Sequence, residues 1–269
     1  MKTVILDGYN LIYRARYSVP KWRKPSEHSI VYSFFRSLRP LIEKLEADYV
    51  YFVLEGHPKM RMEAAPDYKG TRKYEKDESF GRQRKDIINL LLESFPVEVI
   101  RHPDYECDDV IAYLVDYHQH DECVVVSTDT DFLQLYNNYP NFKLYNPIKK
   151  DYSPAPGLDY VVWKSLRGDS ADNISGFPGI GDKRAKVLTE NSEKLEEFLD
   201  GESGRREKFE HNKFMISFHD LSQETNFERN VPSSNWSQVK EVFEKMQFSS
   251  IINDKSWDKF VNTFKYLEG

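Results

Sequence analysis

Four short apolar runs in the first half of the chain, near residues 3–6, 49–54, 97–100 and 124–126, are each followed by carboxylates. Helical spacing separates them: Ile30, Phe34, Leu38, Leu41 and Leu45, then Ile87, Ile88, Leu91 and Leu92, then residues 109–117. Strands alternating with helices require right-handed crossovers, so the pattern predicts an α/β core with a parallel sheet and helices on both faces. In such a sheet every strand ends on the same rim, where ligands bind. Asp7 closes the first run and Glu55 the second; Glu106, Asp108 and Asp109 follow the third; Asp129 and Asp131 close the fourth. Seven acids are therefore expected on one rim.

Taken singly, an Asp after a strand is commonly a turn residue or a helix N-cap, and Asp108 and Asp109 open a helix. Taken together, acids at every strand end repel one another unless a cation neutralises them. Donors that are all oxygen select hard ions such as Mg²⁺ or Mn²⁺, and the absence of His clusters and Cys pairs argues against zinc. So many acids suit two divalent ions. Two carboxylate-held metals are the usual means of phosphodiester hydrolysis, with no side-chain base required.

Composition sharpens this. The chain has 269 residues, with 38 Lys and Arg against 44 Asp and Glu, a net charge of −6 that would by itself argue against a polyanion binder. If the acidic rim is answered by metal, the remaining surface is free to be neutral or basic. The two cysteines, Cys107 and Cys123, have no metal-ligand spacing and suit a reducing compartment. No apolar run approaches the ~20 residues of a membrane span, and the start does not read as a signal peptide. A cytoplasmic protein is expected, in a bacterium or a phage-infected host, with no membrane partner.

Past Pro154, Pro156 and Gly157 the pattern turns helical, which places a soft boundary near residue 155. The division expected is an α/β core over 1–155 and a helical region over 156–269. Within the second region Gly176-Phe177-Pro178-Gly179-Ile180-Gly181 precedes Lys183, Arg184 and Lys186. Its glycines permit positive φ and close approach of backbone N–H groups to an anion, and a helix start near Gly181 adds its positive dipole end. That order suits a helix-hairpin-helix grip on DNA backbone, which reads no base edges. Asp169 and Asp172, three apart, could join the acidic rim. A charged stretch at residues 67–85 has seven basic residues (Lys69, Arg72, Lys73, Lys76, Arg82, Arg84, Lys85) against four acids. It reads either as a solvated loop or as a clamp for a nucleic-acid strand.

These residues resemble the 5′-nuclease, or flap endonuclease, superfamily, and most of all its stand-alone bacteriophage members and the 5′-nuclease domain of bacterial DNA polymerase I. The motifs that carry the resemblance are Leu6-Asp7-Gly8, Tyr68-Lys69-Gly70-Thr71-Arg72, Glu106-Cys107-Asp108-Asp109, Ser127-Thr128-Asp129-Thr130-Asp131 and Gly168-Asp169 through Gly181. They stand in family order up to about residue 190. Glu55 stands where the family usually has Asp, Cys107 where it has a small Ala, and Ala171 where it has a hydroxyl residue.

The resemblance implies a PIN-like nuclease core, a helical arch at about 67–95 and a helix-hairpin-helix (H3TH) motif in the C-terminal region. It implies that Asp7, Glu55, Glu106 and Asp108 hold a first metal, and that Asp129, Asp131, Asp169 and Asp172 hold a second, with Asp109 nearby. It gives Lys69 and Arg72 a catalytic role on the scissile phosphate, and Tyr68, Lys73, Gly176, Gly179, Gly181, Lys183 and Arg184 a role in binding DNA. A monovalent cation, K⁺, is implied at the hairpin. The substrates implied are branched or 5′-flap DNA and RNA–DNA hybrids, cut by a monomer in replication or repair. A PIN-like ribonuclease and a non-catalytic DNA junction-binding module are the competing readings.

Overall fold

The computed structural model describes residues 1–19, 27–72 and 77–268. A central sheet runs in the order β6-β5-β4-β1-β2-β3-β9, built from β1 (Lys2–Asp7), β2 (Tyr49–Val53), β3 (Glu98–Arg101), β4 (Glu122–Val126), β5 (Phe142–Asn146), β6 (Asp151–Ser153) and β9 (Glu228–Arg229). The five inner strands pair in parallel, while β6 and β9 close the two edges antiparallel. The chain leaves β1 toward β2 and β3 and returns on the other side as β4. A topological switch point therefore lies between β1 and β4, where Leu6 pairs with Val126. The crevice beyond the ends of these two strands is where an open α/β sheet binds ligands.

Alternation along β1 divides the core. Val4 and Leu6 enter one buried cluster with Phe34, Phe35, Phe52 and Phe95, and Ile5 enters another with Val53, Val110, Ile111, Val125 and Phe132. The first face is covered by α1 (Gly8–Ser18), α2 (Ser29–Leu45) and α4 (Glu78–Ser94), and the short α3 (Lys59–Ala64) precedes the loop that leads to α4. In α2, buried residues recur at three- and four-residue spacing from Ile30 to Leu45, as the sequence predicts. The second face is covered by α5 (Cys107–Tyr117) and a 3₁₀ turn, Asp131–Asn137.

A helical unit follows: α6 (Tyr160–Arg167), the two-residue strands β7 (Gly168–Asp169) and β8 (Ile174–Ser175), then α7 (Asp182–Thr189), α8 (Ser192–Asp200) and α9 (Arg205–Ile216). It has its own small core of Leu166, Phe177, Ile180, Ala185, Leu188, Leu199 and Phe209. The helical unit does not fill the whole of the region 156–269. After Ile216 the chain returns to the α/β core: Leu221 joins the second cluster, and β9 pairs with β3. The last helices, α10 (Trp236–Lys245), α11 (Ser249–Ile252) and α12 (Asp254–Lys265), then pack Val239, Phe243, Phe248, Phe260 and Phe264 onto Phe35 and Phe95. Aromatic burial of this size dominates a core's energetics, so the chain after Ile216 completes the α/β core.

The sequence pattern does not show the helices α1 and α3 or the strands β5 to β9. β9 is two residues long and is held by charge as much as by pairing, with Arg229 bonded to Glu98 and Arg101 to Glu228, both at 2.6 Å. Local sequence has no period at that length.

Candidate functional site

Asp7 is the last residue of β1 and the N-cap of α1. One carboxylate oxygen accepts the Asn10 backbone N–H at 3.1 Å and the other accepts the Ser127 hydroxyl at 2.7 Å. The cap reading and the rim reading are both true of it. Burial, joined by the charge of Asp129, pushes its carboxyl up to about 6 against the bonds that favour the anion. Glu55, just past β2, is pushed up to about 7 by burial and by the charges of Glu106 and Asp7. Asp108, in the first turn of α5, rises well above the usual carboxylate range through burial and the charges of Asp129, Asp7 and Glu55. These acids crowd one another at the switch point.

Glu106 caps α5 through a reciprocal box with Asp109. It also accepts bonds from Arg61 at 2.8 Å, from the Tyr68 hydroxyl at 3.0 Å and from Lys69. Asp109 departs from expectation. It is fully buried, and its oxygens receive both Arg61 Nη atoms at 2.6 and 2.8 Å and the His219 backbone N–H at 2.9 Å. An ion pair this complete leaves no lone pair facing the rim, so Asp109 anchors the site from below.

The other acids meet across the domain junction. Asp131 from the core and Asp169 and Asp172 from the helical unit each offer an oxygen within 4.8 Å of the others. They line a cavity of about 260 Å³ together with Asp108, Asp129, Lys69, Arg72 and Lys164. Asp129 sits exposed beside it and accepts the Asp131 backbone N–H at 2.9 Å. Burial, with the charge of Asp129, holds Asp131 up at about 6 in spite of Lys164. Burial also works to raise Asp169, but Lys164 at 2.6 Å outweighs it and the carboxyl lies below its usual range.

Lys164 escaped the sequence reading. Its ammonium is buried, bonded to Asp131 and Asp169, and held charged by them against its own desolvation. The available signal was one Lys on an amphipathic helix, a single turn ahead of Gly168-Asp169, which looks like an ordinary snorkelling residue. Arg61 gave no signal at all, since its partners lie 45 and 48 residues away.

Lys69 and Arg72, expected at the start of an arch, lie beside the rim acids. Lys69 reaches Glu106 and lies 3.9 Å from Asp172, and Arg72 is bonded to Asp172 at 2.5 Å. Tyr68 differs from expectation: its ring is buried beside Ile174 and Met215, and its hydroxyl serves Glu106 and Asp172, so it is not presented for stacking on a base. Lys73 lies outside the described residues. Helix α4, expected to belong to the arch, buries Phe80, Ile87, Leu90 and Leu91 in the core, so most of it is wall.

The three hairpin glycines have different reasons. Gly179 has φ of +73°, which an L side chain resists. At Gly176 a Cβ would sit 1.9 Å from the Arg167 carbonyl, so that glycine serves packing within the unit. Gly181 is extended, caps α7 and has open space where a Cβ would stand. Lys183 and Arg184 are exposed on the first turn of α7 beside it.

A family model described as the N-terminal resolvase-like domain of 5′-3′ exonucleases matches residues 2–157. The chain belongs to the 5′-3′ exonuclease family. It is 29% identical to the 5′-3′ exonuclease of Mycoplasmopsis pulmonis, over 74% of this chain and 69% of that one. It is also 28% identical to DNA polymerase I of Caldicellulosiruptor bescii over 94% of this chain, and spans 33% of that longer protein. Among solved structures, the bacteriophage T5 flap endonuclease in complex with DNA and metal ions superposes with a TM-score of 0.65 at 20% identity, covering all of both chains. The flap endonuclease-1 of Methanococcus jannaschii gives 0.62 at 18% identity, covering 99% of this chain and 93% of that one. These likenesses establish a shared fold that runs through the final helices. Among the described residues, no helix is long and apolar enough to cross a membrane.

Proposed function

We propose that this chain is a structure-specific 5′ nuclease that hydrolyses phosphodiester bonds at the 5′ ends or flaps of branched DNA or RNA–DNA hybrids, using two divalent ions. The observation that carries the reading is the meeting of Asp131, Asp169 and Asp172 within 4.8 Å, in one cavity with Asp108, Lys69 and Arg72. The donor set fits hard ions, because it is all oxygen and because burial and neighbouring charge raise its inner acids above their usual range, which a bound cation would relieve. Asp7, Glu55, Glu106 and Asp108 would hold the first Mg²⁺ or Mn²⁺, and Asp129, Asp131, Asp169 and Asp172 the second. Asp109 drops from the set and serves as their support. When bound, such ions supply an ionised water at neutral pH and neutralise charge on the attacking and leaving oxygens.

The residues around the acids divide the remaining work. Lys69 and Arg72 face the rim from the loop after α3 and would steady the scissile phosphate. The hairpin at Gly179 and Gly181, with Lys183 and Arg184, would hold duplex phosphates at a fixed distance from the rim, in the manner of an H3TH motif, without reading sequence.

The reading is tested by product mapping on a 5′-labelled flap oligonucleotide with Mg²⁺, beside excess chelator and beside single-stranded RNA. Metal-dependent cuts at the flap junction are expected. Cleavage that survives chelation, or that prefers unpaired RNA, would refute it.

A further inference from the structure

The segment that leaves the helical unit, Met215 through His219, is fastened by three buried side chains; Arg61 also holds the Glu106 carboxylate, while Gln134 and Asp109 also hold the backbone of a rim residue, Asp131 and Glu106. Arg61 donates from Nε to the Met215 carbonyl at 3.0 Å and from Nη2 to the Ser217 carbonyl at 2.8 Å, while Nη1 holds Glu106 at 2.8 Å. Gln134 accepts the Phe218 N–H at 3.2 Å and donates to the Ile216 and Asp131 carbonyls at 3.4 and 3.0 Å. Asp109 accepts the His219 N–H at 2.9 Å, its two oxygens accept from the two Nη atoms of Arg61's fork, and its Oδ2 accepts the Glu106 backbone N–H at 3.3 Å.

Earlier turns of α9 are fastened to the hairpin. Asn212, buried on α9, donates to the Ser165 carbonyl on α6 at 2.9 Å and to the Ser175 carbonyl on β8 at 3.0 Å. Lys208, one turn earlier, donates to the Gly176 carbonyl at 2.7 Å. A polar path thus runs from the hairpin through α9 to the Glu106 carboxylate and to the backbone of Asp131. Arg61 is central to it, because all five of its N–H donors are used and no other side chain has five in a rigid fork.

We propose that Arg61 and Gln134 are positioning residues of the nuclease reaction. They fix the helical unit against the rim so that a phosphate held at the hairpin and the two carboxylate groups keep one geometry. Neither touches substrate in this account; they act through Glu106, Asp131 and the backbone of residues 215–219. The proposal rests on the nuclease reading above. Misplacement of a site by a fraction of an ångström is enough to lower turnover while leaving binding intact.

The test uses the full chain with Arg61→Lys, Arg61→Met and Gln134→Leu. Four quantities are read: thermal unfolding, duplex affinity in Ca²⁺, single-turnover flap cleavage in Mg²⁺, and Mn²⁺ binding by calorimetry without DNA. For Arg61→Lys and Gln134→Leu we expect duplex affinity within about twofold of the parent, cleavage lowered at least about tenfold, and the Mn²⁺ midpoint raised at least about threefold. A purely structural role predicts a lower Tm with unchanged cleavage per folded molecule and an unchanged Mn²⁺ midpoint, and that result would overturn the proposal. Should Arg61→Met fail to fold, Gln134→Leu, which keeps the ion pair, carries the decision. A parent chain that binds Mn²⁺ but cuts nothing would sink the nuclease reading alone, with the Mn²⁺ midpoints of the variants still deciding for or against positioning. A parent that does neither overturns both.

Discussion

The two halves of the carboxylate rim solve the same electrostatic problem differently. On the core side, Asp7 is held by neutral donors, and Asp7, Glu55 and Asp108 are pushed above their usual range by burial and by one another. On the side shared with the helical unit, Lys164 bridges Asp131 and Asp169 and Arg72 holds Asp172. In the first group the bonded cations, Arg61 and Lys69, go to Glu106 and only partly offset the repulsion among Asp7, Glu55 and Asp108, whereas the second has Lys164 and Arg72 bonded across its acids. A site built only for stability would pair both groups or bury neither, since unpaired buried charge is among the costliest features a fold can hold. Crowded acids at a switch point are retained for what they bind.

The largest test of this contrast removes one carboxylate from each half. Asp108→Asn and Asp169→Asn should both lower cleavage at least about a thousandfold, roughly 4 kcal/mol of barrier, with flap affinity kept. Their stabilities should move in opposite directions. Asp108→Asn relieves repulsion in the metal-free protein and raises its Tm. Asp169→Asn strips the buried Lys164 of a partner and lowers it. Equal shifts of the same sign, measured by calorimetry in chelator, would dissolve the distinction between the two halves.

Lys69 and Arg72 come next. If they act on the scissile phosphate their contribution is larger in the transition state, so Lys69→Ala and Arg72→Ala should each lower the single-turnover rate at least about tenfold, ~1.4 kcal/mol, and change affinity less. A surface charge run predicts the reverse, a small salt-sensitive change in binding and little in the rate. Because each cation also rests on a rim acid, the rate should be compared at saturating Mg²⁺, where loss of that contact no longer limits ion binding.

What the sequence made legible follows from where each constraint is stored. The acids after strands were readable because a parallel sheet sends every strand end to one rim, and a local pattern thereby implies a long-range meeting. The same holds for Gly179, whose positive φ is a local demand. Asp109 looked like its neighbour Asp108, and only the arrival of Arg61 from α3 separates the two. Lys164 looked like a surface lysine because its partner Asp131 lies 33 residues earlier. The return of the last helices to the core was hidden for another reason: an amphipathic helix shows which face is buried but not against what.

A third prediction uses acidity. Asp7 and Asp131 sit near 6 and Glu55 near 7 in the folded chain, above the roughly 4 of an unfolded carboxyl. The folded state therefore binds more protons than the unfolded one as pH climbs from about 4 to about 7, and the metal-free protein loses stability across that window. Divalent ions bind the ionised folded state and restore it. The rise in Tm on adding Mg²⁺ should be greater at pH 8 than at pH 5, by scanning calorimetry. An equal rise at both would mean that the core-side acids are not the ones the ion relieves.

The smallest effect expected is at the hairpin, where the two glycines that face outward can be told apart. Gly179→Val forces a β-branched side chain to φ of +73°, so it should weaken duplex binding and also cost folding stability. That result alone would leave the phosphate grip unproved, because a distorted loop binds poorly for any reason. Gly181 supplies the cleaner measurement. Its backbone is extended, its Cβ would meet open space, and the helix it caps has no side-chain bond from it to lose. Gly181→Val should therefore keep the parent Tm within a degree or two, yet place two methyl groups over the N–H groups at the start of α7, and so lower duplex affinity by about threefold to tenfold at low salt, equally for unrelated sequences. Unchanged affinity in a fully folded Gly181→Val would move the duplex contact off the hairpin and leave Lys183 and Arg184 as ordinary surface charge.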